Sequence, residues 1–392
     1  MLKAIDLFSG CGGISLGPKA GGINIKWANE LNHSACKTYA GCHRKTNLLE
    51  SDIVDFISKL HSNEAGLPKP GEVDLVVGGP PCQGFSGYNR HRSPDDPRNS
   101  LVESFLEVVD YLAPSYLLME NVTGMLSLES GKTVKLLMNS FADLGYKYKL
   151  GILQAGYYGL PQNRWRIFIL ASRRNKTLPD FPPPTHKFPR TTIFGAKDYK
   201  ENVVRPDKDD ENLLPQVTVG DALSDLPRIA NGGGDGEMDY KSEPKAEYQQ
   251  ILRRNCDRVY NHMASNLGPV MYKRVRAVPK RLGAGWLDLP EELKPRNLAK
   301  HRDKRYDNRF GRLHKSGTFN TIVSKPEPYW GRVIHPTQNR VISVREAARA
   351  QGFPDLVKFE GSIKEQYLQI GNAVPPILGK LIGLEIVKSA KK

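Results

Sequence analysis

Short apolar runs alternate with segments of helical pattern over the first 170 residues, and this alternation limits the folds that the chain can adopt. Helix-like segments such as SACKTYAGC and NSLVESFLEVVDYLA separate the apolar runs KAIDLF, NIKWANE, VDLVVGG, YLLMENV and RIFILAS. Strands that alternate with helices of about 10–15 residues favour a mostly parallel sheet with helices on both faces. We therefore predict an α/β fold whose functional side chains follow the carboxyl ends of the strands.

The pattern weakens after residue 180 and returns near the end of the chain. The segment FPPPTHKFPR indicates an extended connector, and residues 240–340 are basic and weakly periodic. From residue 341 a helical segment, SVREAARAQGF, and a last helix restore the ordered pattern. These changes predict a first domain over residues 1–227, a smaller irregular domain over 228–340, and a return to the first domain over 341–392.

The charge of the chain indicates a polyanionic partner. Lys and Arg number 57 against 42 Asp and Glu, a net charge of +15, which favours nucleic acid, although a merely basic soluble protein has the same balance. In HRDKRYDNRFGRLHK, arginines interleave with aromatic residues, so Arg309 and Arg312 are predicted nucleic-acid contacts. No run approaches the roughly 20 apolar residues of a membrane helix, and the first residues lack a secretory signal, so we predict no membrane association.

The cysteines argue against a disulfide scaffold or a zinc site. There are five of them, widely spaced and without a CxxC pair, which fits a reducing compartment. Cys36, Cys42 and His43 are close in sequence, but no fourth ligand accompanies them. We predict that the protein holds no metal ion.

The first loop, DLFSGCGG, has the composition of a cofactor site. A glycine-rich turn after a first strand lets the backbone approach a ligand closely. It departs from the dinucleotide fingerprint because Ser15 stands at the third glycine position. Glu30 ends the second apolar run, NIKWANE, and Asp52 begins the segment DIVDF. Acids at such positions suit hydrogen bonds to ribose hydroxyls. The set favours a nucleoside cofactor without a pyrophosphate, such as S-adenosylmethionine; a tight turn with two surface acids is the alternative.

A second motif, GGPPCQGFS, places Cys82 behind two prolines that stiffen the loop. At its ordinary pKa only about 3% of a cysteine is thiolate at pH 7, so a reactive cysteine needs an aimed sulfur and a positive field. A buried structural cysteine is the alternative, but such a cysteine does not require this rigid hydrophilic frame. Glu120 and Asn121 end the run YLLMENV, and Arg164 and Arg166 share one face of the segment that opens the fifth run.

Together these motifs resemble those of the DNA (cytosine-5)-methyltransferases. DLFSGCGG, GGPPCQGFS, MENV, QNRWR, VREAARAQGFP and GNAVPP occur in the order of that family, with the nearest likeness to the catalytic domain of eukaryotic maintenance-type enzymes. The resemblance implies a Rossmann-like, S-adenosylmethionine-dependent methyltransferase domain with a smaller, irregular target-recognition domain over residues 228–340. It also implies methyl transfer to carbon-5 of a cytosine flipped out of duplex DNA, with CpG as the expected site.

The resemblance also implies roles for individual residues. Cys82 would add to carbon-6 of the cytosine, Glu120 would contact the ring nitrogen beside the amino group, and Arg164 would hold the carbonyl oxygen with electrostatic support from Arg166. The implied cofactor contacts are Phe8, Gly10, Gly12, Glu30, Leu31, Asp52, Ile53, Pro80, Leu101, Asn372 and Val374. The implied DNA contacts are Gln83, Ser86, Tyr88 and Arg90, with Tyr88 as the wedge, in addition to Arg309 and Arg312.

Two other functions remain open at this stage. A relative of the same fold that methylates cytosine in transfer RNA typically lacks the glycine found here as Gly84, so Gly84 favours DNA. A catalytically inactive DNA-binding homologue is disfavoured by the presence of Cys82, Glu120 and Arg164. We expect a monomer on double-stranded DNA, in the nucleus if the source is eukaryotic, which the resemblance favours, and in the cytoplasm if it is bacterial.

Overall fold

The structure is a computed structural model that describes residues 1–81, 100–189, 191, 193, 196–207, 210–299, 306 and 308–392. Internal contacts divide the chain into two compact units. Unit 1 contains Met1–Tyr158, Trp165–Leu214 and Val374–Lys392, and unit 2 contains Gly159–Arg164 and Pro215–Ala373. Each unit has its own core and is described by itself.

The boundaries of these units differ from those of the three predicted segments. Residues 215–227 and 341–373 lie in unit 2, together with the irregular region. The reason is a set of buried side-chain contacts, because Arg349 bonds to the Asp225 carboxylate and Arg345 to the Tyr260 carbonyl. The division of the chain by function stays a prediction.

Unit 1 is built on a seven-stranded sheet in the order β3-β2-β1-β4-β5-β7-β6. Its strands are β1 (Leu2–Leu7), β2 (Ile23–Glu30), β3 (Asn47–Glu50), β4 (Leu75–Gly78), β5 (Tyr116–Val122), β6 (Tyr146–Gln154) and β7 (Trp165–Arg173). β1 to β5 pair in parallel, whereas β7 runs antiparallel to both β5 and β6. Every residue of β4 is buried, as expected for a strand that is covered on both faces.

This topology brings the ends of several strands to one edge of the sheet. β1, β2, β4 and β5 are parallel, so their carboxyl ends lie together. Because β7 is antiparallel to β5, its first residues reach the same edge, where Arg166 stands opposite Val122 and Phe168 opposite Glu120. The five predicted strands are present; β3 and β6 were not predicted.

Six helices accompany the sheet in the described part of unit 1. They are α1 (Gly13–Ala20), α2 (His33–Cys42), α3 (Ile53–His61), α4 (Ser100–Leu112), α5 (Lys132–Asp143) and α12 (Pro376–Ala390). α12 packs closely on α1 at Gly17, where an added Cβ would lie 2.2 Å from the backbone nitrogen of Lys380. The last helix therefore belongs to the same unit as the first strand.

One segment, Ile363–Ala390, is long and apolar enough to cross a membrane by length and composition alone. The sequence analysis had found no such run. However, 61% of its most apolar window is buried inside the protein, and residues 373–375 divide it into two helices. A buried core helix meets the same criterion, so this segment is weak evidence for a membrane span.

Unit 2 is made of short elements around a separate core. They are α6 (Val219–Leu223), β8 (Gly234–Asp239), α7 (Glu247–Leu252), β9 (Arg258–Met263), α8 (Pro269–Ala277), α9 (Arg296–Ala299), β10 (Gly311–Arg312), β11 (Arg332–Ile334), α10 (Val344–Ala350) and α11 (Ile363–Asn372). β8 pairs with β9, and β10 with β11. Part of the core is formed by Val275, Trp286, Leu298, Phe310 and Ile334.

Candidate active site

The loop after β1 is held in left-handed backbone conformations. Phe8, Gly10 and Gly12 have φ angles of 56°, 54° and 84°. Left-handed backbone is strained for a side chain as large as Phe8, and such strain persists where the surrounding structure enforces it, often at ligand sites. The Ser9 hydroxyl is buried and has no hydrogen-bond partner among the described residues. The loop therefore holds its backbone in an enforced conformation at the carboxyl edge of the sheet, over a buried hydroxyl.

Glu30 connects this loop to the end of β2. Its carboxylate accepts the Gly10 N–H through Oε2 and the Asn32 N–H through Oε1, both at 2.8 Å. Each carboxylate oxygen has a second lone pair, so Glu30 can also accept a ribose hydroxyl. The next residue, Leu31, is 65% exposed, which leaves an apolar surface that a nucleoside could cover.

Asp52 lies beyond the neighbouring strand, β3. It caps α3, because its carboxylate accepts the Val54 N–H at 2.8 Å, and the following Ile53 is buried. Glu30 pairs in register with Glu50 of β3, so Asp52 and Glu30 follow adjacent strands at the same edge. The loop and these two acids therefore fit a nucleoside cofactor.

A buried polar cluster underlies the glycine loop and was not predicted. The Ser15 hydroxyl donates to Asp6 Oδ2 at 2.6 Å and lies 2.8 Å from the Tyr39 hydroxyl. Burial raises the pKa of Asp6 to about 7. Ser15 occupies the position where a dinucleotide site has its third glycine, so its hydrogen bond to Asp6 explains that departure from the fingerprint. The signal in the sequence was an acid in β1 followed by a serine in the first turn of α1.

A buried ion pair forms the second part of the site. Arg166 Nε lies 3.0 Å from Glu120 Oε1, and the two side chains are only 12% and 10% exposed. Burial lowers the pKa of Arg166, and the Glu120 carboxylate opposes that shift. Two charges removed from water in this way are favourable only as a pair. The structure thus brings together two of the predicted catalytic residues.

The residues that lead to Cys82 are fixed beside this pair. The Asn121 amide donates to the Pro80 carbonyl at 3.1 Å, and an added Cβ on Gly79 would lie 3.4 Å from Glu120 Oε2. Cys82 itself lies outside the described residues, as do the predicted DNA contacts Gln83, Ser86, Tyr88 and Arg90. The residues just before the predicted nucleophile, up to Pro81, are described, and among them Gly79 lies beside the Glu120 carboxylate.

The remaining cofactor predictions divide between the two units. Leu101 is half-buried at the start of α4, and Val374 is buried just before α12, both in unit 1. Asn372 is exposed at the end of α11 in unit 2. Unit 1 therefore holds all the predicted cofactor residues except Asn372.

Arg164 and Arg312 both bind backbone carbonyls inside unit 2, which the sequence did not predict. The fully buried Arg164 side chain donates to the carbonyls of Ile322, Gly371 and Ala373 at 2.9–3.1 Å, which differs from the predicted contact with a cytosine oxygen. Arg312 is also buried and donates to backbone carbonyls on several segments, including that of His335. A guanidinium with no exposed surface cannot reach a phosphate, so the prediction of Arg312 as a DNA contact is wrong.

The parallel sheet with an antiparallel β7 and a nucleoside-type loop after β1 defines a Rossmann-like methyltransferase fold. Solved structures share it over the whole chain: an E. coli prophage-encoded chain described as a DNA modification methyltransferase is 25% identical with a TM-score of 0.70, all of both chains being covered. The Dnmt2 methyltransferase of S. pombe, at 18% identity and a TM-score of 0.56 over 99% of each chain, shows the fold alone.

Residues 2–388 match the C-5 cytosine-specific DNA methylases, and the chain belongs to that family. Over 98% of its length it is 34% identical to DNA (cytosine-5)-methyltransferase 1 of Mus musculus and to DNA (cytosine-5)-methyltransferase 2 of Arabidopsis thaliana. The chain spans 28% of the length of each of these relatives.

Proposed function

We propose that this protein methylates carbon-5 of cytosine in duplex DNA. We propose CpG as the target site, because the sequence resembles maintenance-type enzymes. The observation that carries the proposal is the buried Glu120–Arg166 pair beside the residues that lead to Cys82, in a chain that matches the family from end to end. S-adenosylmethionine supplies the methyl group when it is bound. If the source is eukaryotic, we propose that the protein acts in the nucleus.

Cys82 acts as the nucleophile in this proposal. Its sulfur forms a bond to carbon-6, which makes carbon-5 electron-rich. After carbon-5 is methylated, a base takes the proton from carbon-5 and the bond to sulfur breaks, which releases the thiolate. Pro80 and Pro81 restrict the backbone before the sulfur, and the Asn121 amide holds Pro80 at the end of β5. These contacts fix the backbone that leads to Cys82, and in this proposal they orient its sulfur.

Glu120 and Arg166 handle the charge that develops on the cytosine. Glu120 holds a proton at the ring nitrogen beside the amino group as electrons flow into the ring. Arg166 Nε lies 3.0 Å from Glu120 Oε1 and so orients the carboxylate. The guanidinium also keeps a positive charge in the site, which stabilises negative charge on the cytosine. We propose Arg166 for this role in place of Arg164, since Arg164 is bonded to three carbonyls in unit 2.

DNA binding completes the proposal. A stacked cytosine is out of reach of Cys82, so the base must leave the duplex at a cost of a few kcal/mol. Gln83, Ser86, Tyr88 and Arg90 are proposed to enter the DNA at that point, and the net charge of +15 supports the binding of a polyanion. Residues 228–340 are proposed to recognise the target sequence.

The cofactor loop gives the first prediction. Gly12→Ala is expected to weaken S-adenosylmethionine binding about tenfold, because a left-handed alanine costs about 1–2 kcal/mol. Its Cβ would also lie 2.5 Å from His43 Nε2, so the loop must move. Isothermal titration calorimetry measures the change in Kd. The matched control is Gly71→Ala, which has a φ of +79° and an added Cβ with no described atom within 4 Å; equal affinity in both variants would contradict the prediction.

The second prediction tests the activity itself. The protein is expected to transfer labelled methyl groups to duplex DNA and not to transfer RNA assayed beside it, and Cys82→Ala is expected to abolish transfer while cofactor binding persists. Bisulfite sequencing of the methylated plasmid then reads the site preference. Methylation of transfer RNA alone would refute the DNA proposal, and turnover by Cys82→Ala would refute the role of Cys82.

An inactive DNA-binding homologue is distinguished by covalent trapping. DNA that carries 5-fluorocytosine cannot lose its substituent at carbon-5, so an active protein with its cofactor remains attached through Cys82. The expected result is a denaturation-resistant complex with the wild type and none with Cys82→Ala. A wild-type protein that binds this DNA and forms no such complex would be the inactive homologue.

A further inference from the structure

Arg309 lies among three aromatic rings in unit 2. Its guanidinium carbon is 4.6 Å from the centroid of the Tyr306 ring, 4.7 Å from that of Tyr329 and 4.8 Å from that of Trp330. All three distances are within the roughly 6 Å range of a cation–π contact. The sequence predicted Arg309 as a DNA contact, but in the structure its cation is engaged by rings of its own unit.

Trp330 is the exposed member of this cluster. It ends the short helical turn Pro328–Trp330 and is 47% exposed, whereas its ring meets that of Tyr329 edge-on at 5.0 Å. Arg309 Nη1 also donates to the Tyr329 carbonyl at 3.3 Å, which ties the turn to the cation. The arrangement leaves one large ring exposed to solvent and supports it by an edge-on ring and a cation.

The backbone behind the rings is fixed. Phe310 is fully buried in the core of unit 2, has a φ of +51°, and donates its N–H to the Pro328 carbonyl. An added Cβ on Gly311 would lie 2.7 Å from the Arg332 Cβ, so β10 and β11 approach closely beneath the cluster. Strained backbone that is held in this way is characteristic of sites where a side chain must be presented in one orientation.

A further cation lies beside the core under the cluster. Arg274 of α8 is 5.8 Å from the Phe310 ring, and the same helix carries Lys273 and Arg276, whereas Arg281 beyond it is paired with Asp288. An exposed ring on a basic unit suits duplex DNA, because sugars and base edges offer apolar surface for the ring while phosphates attract the cations. An acidic protein surface would use the cations and leave the ring without a partner.

We propose that Trp330 is the aromatic DNA contact of unit 2, packing its indole against a nucleotide of the bound duplex. Arg309 acts as a positioning residue that holds the Trp330 ring, and it does not contact a phosphate. This inference rests on the proposed function, since it requires that the protein binds duplex DNA.

The test is the affinity for a fluorescein-labelled CpG duplex, measured by fluorescence anisotropy at several salt concentrations. Trp330→Ala is expected to weaken binding roughly tenfold, because packing of the indole on a nucleotide buries apolar surface that contributes about 1–2 kcal/mol. The slope of log K against log salt stays unchanged, because no charge is lost. Trp330→Phe keeps a ring and retains most of the affinity. Ile251→Ala, at a side chain that is 52% exposed, is the control and binds as the wild type does.

Arg309→Lys separates positioning from phosphate contact. It keeps the charge but loses the planar cation that stacks on the rings, so binding is expected to weaken as in Trp330→Ala. Wild-type affinity in Trp330→Ala would overturn the inference. Full affinity in Arg309→Lys, with a slope lowered by about 0.9 in Arg309→Gln, would make Arg309 a phosphate contact. A wild type that binds no duplex would instead refute the proposed function, and thermal melts confirm that each variant is folded.

Discussion

Glu120→Gln is expected to lower kcat for DNA methylation by about 10²–10⁴-fold, the usual contribution of a positioned acid or base. Glutamine keeps the shape of the side chain and a hydrogen-bonding oxygen, but it cannot carry a proton to and from the cytosine ring. The substitution also leaves the Arg166 cation buried opposite a neutral group, since the two side chains are 12% and 10% exposed. The affinity for S-adenosylmethionine is expected to stay largely unchanged, because most of the predicted cofactor residues lie on the first loop and the ends of β2 and β3, and Pro80 is held by Asn121, which the substitution leaves in place.

The loss of rate must be separated from a loss of stability. A double-mutant cycle with Arg166→Met does so, because it gives one coupling energy from kcat and another from the free energy of unfolding. A coupling in kcat that exceeds the coupling in stability belongs to catalysis. Asp180→Asn is the matched control: Asp180 pairs with Lys149 of β6 in the same unit, but it is 81% exposed. Loss of such a surface pair changes stability by about 0–1 kcal/mol and is expected to leave kcat unaltered. Full activity in Glu120→Gln would remove Glu120 from the mechanism.

The sequence predicted the strands of unit 1 wherever an apolar run marks them. β3 escaped prediction because its four residues, NLLE, are half-buried or exposed, and β6 because lysines interrupt its first half. Glu120 and Arg166 could be placed at one edge because strand ends are visible in the sequence. Their distance of 3.0 Å depends on β7 running antiparallel to β5, and no local pattern encodes that direction.

The basic residues of unit 2 show the limit of the same reasoning. HRDKRYDNRFGRLHK indicates a charged surface, yet Arg312 is buried and Arg309 is engaged by aromatic rings. The groups that bind Arg312 come from segments 23–37 residues away, such as the carbonyls of Val275 and His335. Charge is a property of composition, whereas burial depends on long-range packing, so the sequence could not distinguish these two arginines.

Arg349→Met is expected to lower the free energy of unfolding of unit 2 by about 3–5 kcal/mol, the cost of removing one partner from a buried ion pair. Arg349 bonds to both Asp225 and Asp355, and all three side chains have no exposed surface. It also donates to the Ala222 carbonyl at 2.7 Å. Without the guanidinium, two buried carboxylates lose their main counterion, although Arg253 still lies 3.3 Å from Asp225 and Arg345 still lies 3.7 Å from Asp355.

The pH dependence of this loss is the sharper test. Burial alone would raise the pKa of Asp355, but Arg349 holds it below the usual value, so this pairing stabilises the wild type above about pH 4 and is lost in acid. In Arg349→Met, burial raises the pKa of the Asp355 carboxyl without the opposing effect of Arg349, which makes the variant less stable as the pH rises. The difference in unfolding free energy, measured with urea, is therefore expected to grow from pH 4 to pH 8.

Two substitutions complete this experiment. Arg349→Lys is expected to be nearly as destabilising, because one ammonium cannot bond to both carboxylates as the guanidinium fork does. Glu291→Gln removes the partner of Lys294 where the glutamate is 84% exposed, and we expect it to change stability by no more than about 1 kcal/mol. A pH-independent loss in Arg349→Met would mean that packing, and not charge, makes Arg349 necessary. If the charges are responsible, the helix that carries the VREAARA motif is fixed to unit 2 by its arginines, and DNA affinity should fall in proportion to the fraction of unit 2 that unfolds.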